Sequence, residues 1–409
     1  MGVTVASPDL RPSLYSVLDG LLDAGLLDAL VTKHVIDPSR PLHRAMLRML
    51  PAARAPHRQV PERLRALTHA VMPGELLRIA AGRVNRRLGH HLWLRQELAF
   101  DARVSRRFAG RSTLLLGMEH ACLESLRAQH RAGGLTAMRQ VTAHGDVAFE
   151  RYHWERARFP QLFDRGHAYV MEDLQRSRER KRAEYAEADL LLCNSDYVAD
   201  SMRACGVQAE RVVAVPTGCP PLTETAANAG RGSAPLRVLM VGTVGLRKGI
   251  HELLEAIARL PRGAVDLRLA GGVEHPHWGA RALAVGAALL GHIDRAALVQ
   301  EWAQADLFVL PSHLEGLAHS LLEALSAGLP LLVTRETGAG RLLEDGQNGR
   351  MVAACDVDAL HRGLEEALDR RGELPAWGAH SRIVAERWPR AASNAAALTA
   401  LRSLHDRAA

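Results

Sequence analysis

From residue 236 onward, short aliphatic runs alternate with helix-patterned stretches, and no other feature restricts the fold as much. The runs at 237–241, 265–270, 306–310, 331–334 and 351–353 are short and rich in Leu and Val. Helical spacing fills 249–260, 296–305, 317–327 and 357–368 between them. Short β-rich runs alternating with helices imply a parallel sheet covered on both faces. In such sheets ligands bind beyond the carboxyl ends of the strands.

The first half is less regular. The run 3–7 suits a buried strand, and 10–30 has apolar spacing of three and four, as in a helix packed on a sheet. Further strands are expected at 112–116, 189–195 and 212–215, with helices near 119–131 and over 172–188. The stretch 35–110, rich in Arg, Pro and His, gives no readable topology. Between Pro216 and Pro235 the residues are small, polar or Pro/Gly, a linker composition. The expected organisation is an α/β chain of two Rossmann-like domains, 1–220 and 221–380, with a terminal helical segment 381–409. At 409 residues the chain has the length for two domains of about 200 residues each.

Charge is unevenly placed. Residues 1–220 carry 32 Lys+Arg against 24 Asp+Glu, and 40–111 hold 16 arginines against four acids. This patch suits an anionic partner such as a membrane surface or a phosphorylated acceptor, though solvated arginine faces explain it equally well. Its few aromatics argue against single-stranded nucleic acid. The whole chain has only three lysines, Lys33, Lys181 and Lys248, so a well-placed lysine is informative. No window approaches the ~18 uninterrupted apolar residues of a membrane span. The five cysteines show no CxxC pairing, in keeping with reduced thiols and a cytoplasmic protein.

Two loop-to-helix junctions carry the chemistry. The run 306–310 leads into Pro311-Ser-His-Leu-Glu315-Gly316 and a helix. Helix-start amides there suit a diphosphate, and a carboxylate accepts hydroxyls at several positions. Gly316 is expected to let the backbone approach a ligand. Glu323, about two turns on, falls on roughly the same side and is within reach of a ribose. Paired glutamates on a helix are usually only solvated; the strand–Pro–Ser–x–x–Glu–Gly–helix context is what sets these apart. The second junction, Val241-Gly242-Thr243-Val-Gly-Leu-Arg247-Lys248-Gly249, delivers two cations beyond the first strand of the same domain. Positive charge there gains value as a phosphate leaves. Alone it would be only a tight turn.

Together, Val-Gly-x5-Lys-Gly, the Pro-Ser-x-x-Glu-Gly-x6-Leu-Glu-Ala-Leu-x-Ala-Gly-x-Pro block, Thr337-Gly and Asp345-Gly-x-Asn-Gly349 closely resemble the family-4 retaining glycosyltransferases of GT-B fold. The strong resemblance spans about 236–360, and a looser one covers 184–218. It implies two Rossmann-like domains facing each other across a cleft, with the final helices crossing back onto the first. It also implies donor contacts from Gly242, Thr243, Arg247, Lys248, Glu315, Gly316, Leu317 and Glu323. Glu315 would hold sugar hydroxyls, Gly316 and Leu317 would offer backbone amides, Glu323 the ribose contact, and Lys248 the diphosphate contact. His144, in Val141-Thr-Ala-His-Gly-Asp146, stands where the family places a histidine facing the donor sugar, so the catalytic set is Glu315, Lys248 and His144. The chain departs from the family in having Thr243 where arginine is common, with Arg247 the candidate replacement. It also has no glycine in the loop after the first strand.

No metal site is expected. Asp356-Val-Asp358 reads as a helix cap, and His275/His277 and His90/His91 lack further ligands at zinc spacing. The absence of Gly-x-Gly-x-x-Gly and of a P-loop lysine weakens dinucleotide and ATPase readings. The resemblance implies retaining transfer of a hexose-type sugar from a nucleotide-diphosphate sugar, expected to need no metal and no cofactor. The acceptor is a glycan or lipid-linked hydroxyl, in cell-envelope polysaccharide synthesis at the inner membrane face. Weaker readings are a phosphorylase or epimerase on this fold, or a non-catalytic membrane or nucleic-acid binding module.

Overall fold

The computed structural model describes residues 1–10, 12–35, 60–72, 86–163, 168–221 and 235–408. Parts of the Arg-rich stretch 40–111, and 222–234 of the expected linker, lie outside the described residues.

Seven strands form the first sheet: β1 Val3–Ala6, β2 Leu27–Thr32, β3 Thr68–Ala70, β4 Leu114–Met118, β5 Leu135–Gln140, β6 Leu190–Cys193 and β7 Val212–Ala214. They are all parallel, in the order β3-β2-β1-β4-β5-β6-β7. Around them lie α1 Pro12–Asp23, α2 Arg86–Arg107, α3 Leu123–Arg131, α4 Gly145–Arg158, α5 Ala168–Glu187 and α6 Asp196–Ala204. Because strand side chains alternate faces, Leu114, Leu116, Leu190 and Leu192 enter one core layer. Leu115, Leu191 and Cys193 enter the other. This is why these runs are apolar throughout.

The second sheet has six parallel strands: β8 Leu236–Val241, β9 Val265–Ala270, β10 Ala288–Gly291, β11 Leu307–Leu310, β12 Leu331–Thr334 and β13 Gly349–Val352. Their order is β10-β9-β8-β11-β12-β13. The accompanying helices are α7 Ile250–Ala258, α8 Pro276–Ala284, α9 Arg295–Gln304, α10 His319–Ala327, α11 Val357–Asp369, α12 Leu374–Arg387 and α13 Arg390–Ala408.

Several features differ from the sequence expectation. The apolar stretch 10–30 is not one helix. The chain turns where Gly25 N–H meets Leu22 O and Leu26 N–H meets Leu21 O, then enters β2. Leucines at 26, 27 and 30 satisfied helical spacing while serving a strand. Strand β10 went unread, because its Ala-Leu-Leu-Gly is short and its side chains are only half-buried. Helix α4 was unread too; its first polar residues resemble a turn.

The chain crosses between the sheets twice, and the crossings are bound together. Pro216 O accepts from Trp388 Nε1 at 3.1 Å and from Ser393 Oγ at 2.6 Å, and Cys219 N–H donates to Trp388 O at 2.9 Å. Beyond this seam α13 returns to the first sheet and packs along α1. It buries Ala397, Leu401 and Leu404 in the same layer as Leu14 and Leu18. No described helix is long and apolar enough to cross a membrane.

Candidate active site

In both sheets the chain adds strands outward from the first strand and then reverses. The reversal lies between β1 and β4 in the first sheet and between β8 and β11 in the second. A crevice opens at such a switch point because the loops on its two sides diverge. The Gly242–Gly249 turn follows β8 and the Pro311–Gly316 loop follows β11, so the two flank the second switch point.

There the side chains meet. Lys248 Nζ lies 2.6 Å from Glu315 Oε1, both side chains mostly buried. The Arg247 guanidinium pairs with the same oxygen and donates to Leu314 O at 2.9 Å, and His313 N–H donates to Arg247 O at 2.9 Å. The junctions are therefore sewn together by backbone and side chain. The Lys248 Cε lies 3.4 Å from where a Cβ on Gly242 would stand. Burial lowers the Lys248 amine below its ordinary range; Glu315 pulls the other way and Arg247 adds to the lowering. Thr243 is exposed at the turn.

Three expected donor contacts take a different form. A Cβ on Gly316 would fall 1.6 Å from Val141 O of the first domain. The missing side chain thus admits the facing domain, and Ser195 Oγ donates to Gly316 O at 2.5 Å on the same seam. Helix α10 starts at His319, after Ala318 N–H has bonded Thr337 O at 2.9 Å. Leu317 is thus a buried residue ahead of the helix. Glu323 pairs with Arg295 at 2.7 Å. Neighbouring strands brought Lys248 to Glu315, whereas Glu323, about one turn into the helix that starts at His319, lies against Arg295 of α9.

His144 is the N-cap of α4: its Nδ1 accepts from Asp146 N–H at 3.1 Å. The ring packs on Tyr185 at 4.7 Å and is 3% exposed. Burial lowers its proton affinity; Asp146 opposes this, and Arg182, Lys181 and Arg178 reinforce it. With Nδ1 accepting, the neutral ring carries its proton on Nε2, which makes that atom a hydrogen-bond donor and not a base.

Other groups at the strand ends were missed. Lys181 Nζ sits 3.0 Å from Glu119 Oε2 at the first sheet's switch point, where Thr142 and Gln140 also donate to that carboxylate at 2.8 and 2.9 Å. Burial opposes the Glu119 charge, but Lys181, His120 and Thr142 outweigh it and lower its pKa. His120, next to it, has φ 73°, a backbone state costly for a side-chain-bearing residue. Buried Glu184 fixes that turn by accepting from the His120 and Cys122 amides at 2.8 and 3.2 Å. With Lys33 bonded to Glu97 at 2.6 Å, all three lysines of the chain prove to be paired with glutamates in sites shielded from solvent. Their rarity was the available signal.

Among the described residues, one group has donor atoms close enough for a metal: Glu252, His313 and Cys355. Asp356 caps α11 through Ala359 N–H at 2.8 Å and Asp358 pairs with Arg259, while His275 caps α8.

Two facing parallel sheets, joined at a double crossing with a cation–carboxylate cluster at one switch point, have the GT-B architecture. Residues 223–382 match the glycosyl transferases group 1 family. Solved structures of similar fold include Anabaena HepE in complex with UDP, with TM-score 0.65 and 15% identity over 98% of this chain and 100% of that one. The apo lipopolysaccharide outer core galactosyltransferase WaaB also has TM-score 0.65, at 14% identity over 98% of this chain and 99% of that one. Among curated relatives, the lipopolysaccharide core biosynthesis glycosyltransferase LpsE of Rhizobium meliloti is 30% identical over 191 residues, 45% of this chain and 55% of LpsE. The lipopolysaccharide glucosyltransferase WaaG of Escherichia coli is 30% identical over 155 residues, 36% of this chain and 41% of WaaG. The matches thus span about half or less of these curated relatives.

Proposed function

We propose that this protein is a retaining glycosyltransferase, moving a hexose-type sugar from a nucleoside diphosphate sugar to a hydroxyl of a glycan or lipid-linked acceptor in cell-envelope polysaccharide assembly. The observation that carries the reading is the meeting of Lys248, Arg247 and Glu315 at the switch point of the group 1 domain. The lipopolysaccharide enzymes among the relatives favour the acceptor class.

Arriving diphosphate competes with Glu315 for the two cations and frees the carboxylate to accept sugar hydroxyls. Glu323, at α10, keeps an accessible carboxylate beside Arg295 for the ribose. His144 Nε2–H donates to a sugar hydroxyl or a phosphate oxygen. In the transfer, the bond from the anomeric carbon to the diphosphate oxygen breaks and the acceptor oxygen bonds that carbon on the same face. The acceptor proton passes to the leaving phosphate, so no protein nucleophile, cofactor or metal takes part. Lys248 and Arg247 stabilise the charge that grows on the leaving group. The Arg-rich part of the first domain is proposed to rest on an anionic membrane surface at the inner face.

The experiment is a thermal-shift panel of nucleotide sugars, since ligand at 100 times its dissociation constant adds about 2.7 kcal/mol to the native state. It is followed by nuclear magnetic resonance of the product anomer in the presence of chelator. A donor that binds, transfers with retention and needs no metal supports the reading. Inversion, or nucleoside diphosphate release that chelator abolishes, refutes the mechanism.

A further inference from the structure

The most enclosed ionisable cluster of the described residues lies at the seam between the domains. The His313 side chain is fully buried, two residues before Glu315. Its Nδ1 faces Glu155 Oε1 of α4 at 3.1 Å, and its Nε2 faces Glu252 Oε2 of α7 at 2.8 Å. One carboxylate thus comes from each domain. A proton is needed on each N···O line, because a bare ring nitrogen facing a carboxylate is repulsive. The geometry therefore demands an imidazolium between two carboxylates, or a neutral ring with one protonated glutamate.

The charged groups around it come from several elements. Arg151 of α4 donates to Cys355 Sγ at 3.0 Å, and Cys355 also bonds the His313 ring. Cys355 holds φ 63°, an unfavourable state for a residue with a side chain, so the turn after β13 is fixed against this cluster. Glu336 lies within electrostatic range. Trp154 of α4 meets the His313 ring edge-on at 5.7 Å, with Arg151 and Arg158 over its own ring. Just beyond α4, Phe159 is buried in the second domain's core beside His251 and Trp278. Helix α4 therefore starts at the His144 cap and ends docked on the facing domain.

We infer that His313 is a positioning residue: bridging Glu155 and Glu252, it pins α4, and with it His144, to the loop carrying Glu315, so that the donor site is assembled only when the domains are closed. This rests on the glycosyltransferase reading above for its consequence in donor binding, but not for the closure itself. Burial opposes a charged ring, yet the bonds to Cys355, Glu155 and Glu252 outweigh that and hold its pKa at about 11. The same donor atoms that suggest a metal already neutralise one another, and the Arg151 guanidinium beside Cys355 disfavours a cation there.

The test uses the full chain with Glu155→Gln, which keeps the shape and removes one charge, and His313→Gln, which can serve only one carboxylate. Small-angle scattering without ligand reads closure. Calorimetric titration with UDP, and slow UDP-glucose hydrolysis, read the site. We expect a larger radius of gyration in both variants and UDP binding weakened roughly tenfold, within the usual range of coupling between sites. The melting temperature of Glu155→Gln should change little, which separates positioning from general destabilisation. Unchanged radius and unchanged UDP affinity in both variants overturn the inference. So does one equivalent of zinc in the purified wild type that His313→Gln loses, because the cluster is then a metal site. Should the wild type bind neither UDP nor any nucleotide sugar, the glycosyltransferase reading falls, while scattering still decides the closure.

Discussion

Lys248→Met removes the cation and keeps most of the stem that packs against Gly242. In the structure Nζ lies 2.6 Å from Glu315 Oε1, and the two side chains are 12% and 14% exposed. Losing one partner of a well-buried pair costs about 3–5 kcal/mol when the other is stranded. Here Arg247, itself half-exposed, remains on Glu315, so the stability cost should be only about 1 kcal/mol, or about 2–4 °C in melting temperature. The effect on transfer is larger. A preorganised charge at a developing oxyanion contributes about 10²–10³ in kcat, or about 2.7–4 kcal/mol at 1.36 kcal/mol per decade. The assay is kcat and KM with the donor found by the thermal-shift panel, alongside a melt of the same preparation. The expected pattern is a collapse of kcat in a protein that melts almost normally. A variant retaining kcat within about threefold refutes the leaving-group role. A melting temperature falling in step with activity would instead assign Lys248 to structure.

Gly316→Ala places a methyl on Val141 O, so the domains must part. Overpacking costs about 1–3 kcal/mol, and the displaced loop should lower kcat/KM about 100-fold, both read by melting and steady-state kinetics. For His313, a folded-state pKa of about 11 against an ordinary value near 6.5 means the fold holds an extra proton between those limits. Stability from this residue is complete below about pH 6.5 and declines as pH climbs toward 11, so urea midpoints should fall from pH 7 to 10 in the wild type and be flatter in His313→Gln. His144 has the opposite sign: its lowered pKa favours the neutral ring, so its contribution is present above about pH 6.5 and lost as pH falls through the lower folded value. His144→Asn should flatten the acid-side fall in stability, read from urea midpoints as pH drops below about 6.5. Ser393→Ala removes one of two bonds to Pro216 O at the double crossing; because Trp388 Nε1 still donates to that carbonyl, the cost read from urea midpoints should be only about 0.5–1.5 kcal/mol.

The amino-acid pattern alone determined the second domain. Strands β11 and β12 are buried on both faces and β8 and β9 carry aliphatic residues into the core, so all four were legible along with the loops at their carboxyl ends. It also determined which residue types those loops present, and hence that Lys248 and Glu315 could serve one ligand. What it could not determine was proximity. Lys248 meets Glu315 because β8 and β11 are neighbours across a switch in strand order, and strand order is a property of the sheet. That Glu323 pairs with Arg295 of α9, and that Gly316 makes room for Val141, a residue 175 positions earlier in the chain, likewise depend on packing. His313 lay unremarked inside the most legible motif, because neither of its carboxylate partners is near it in sequence. Periodicity records whether a residue is buried, a local consequence of backbone repeat. Which charge it meets there depends on how two separately folded sheets close upon each other.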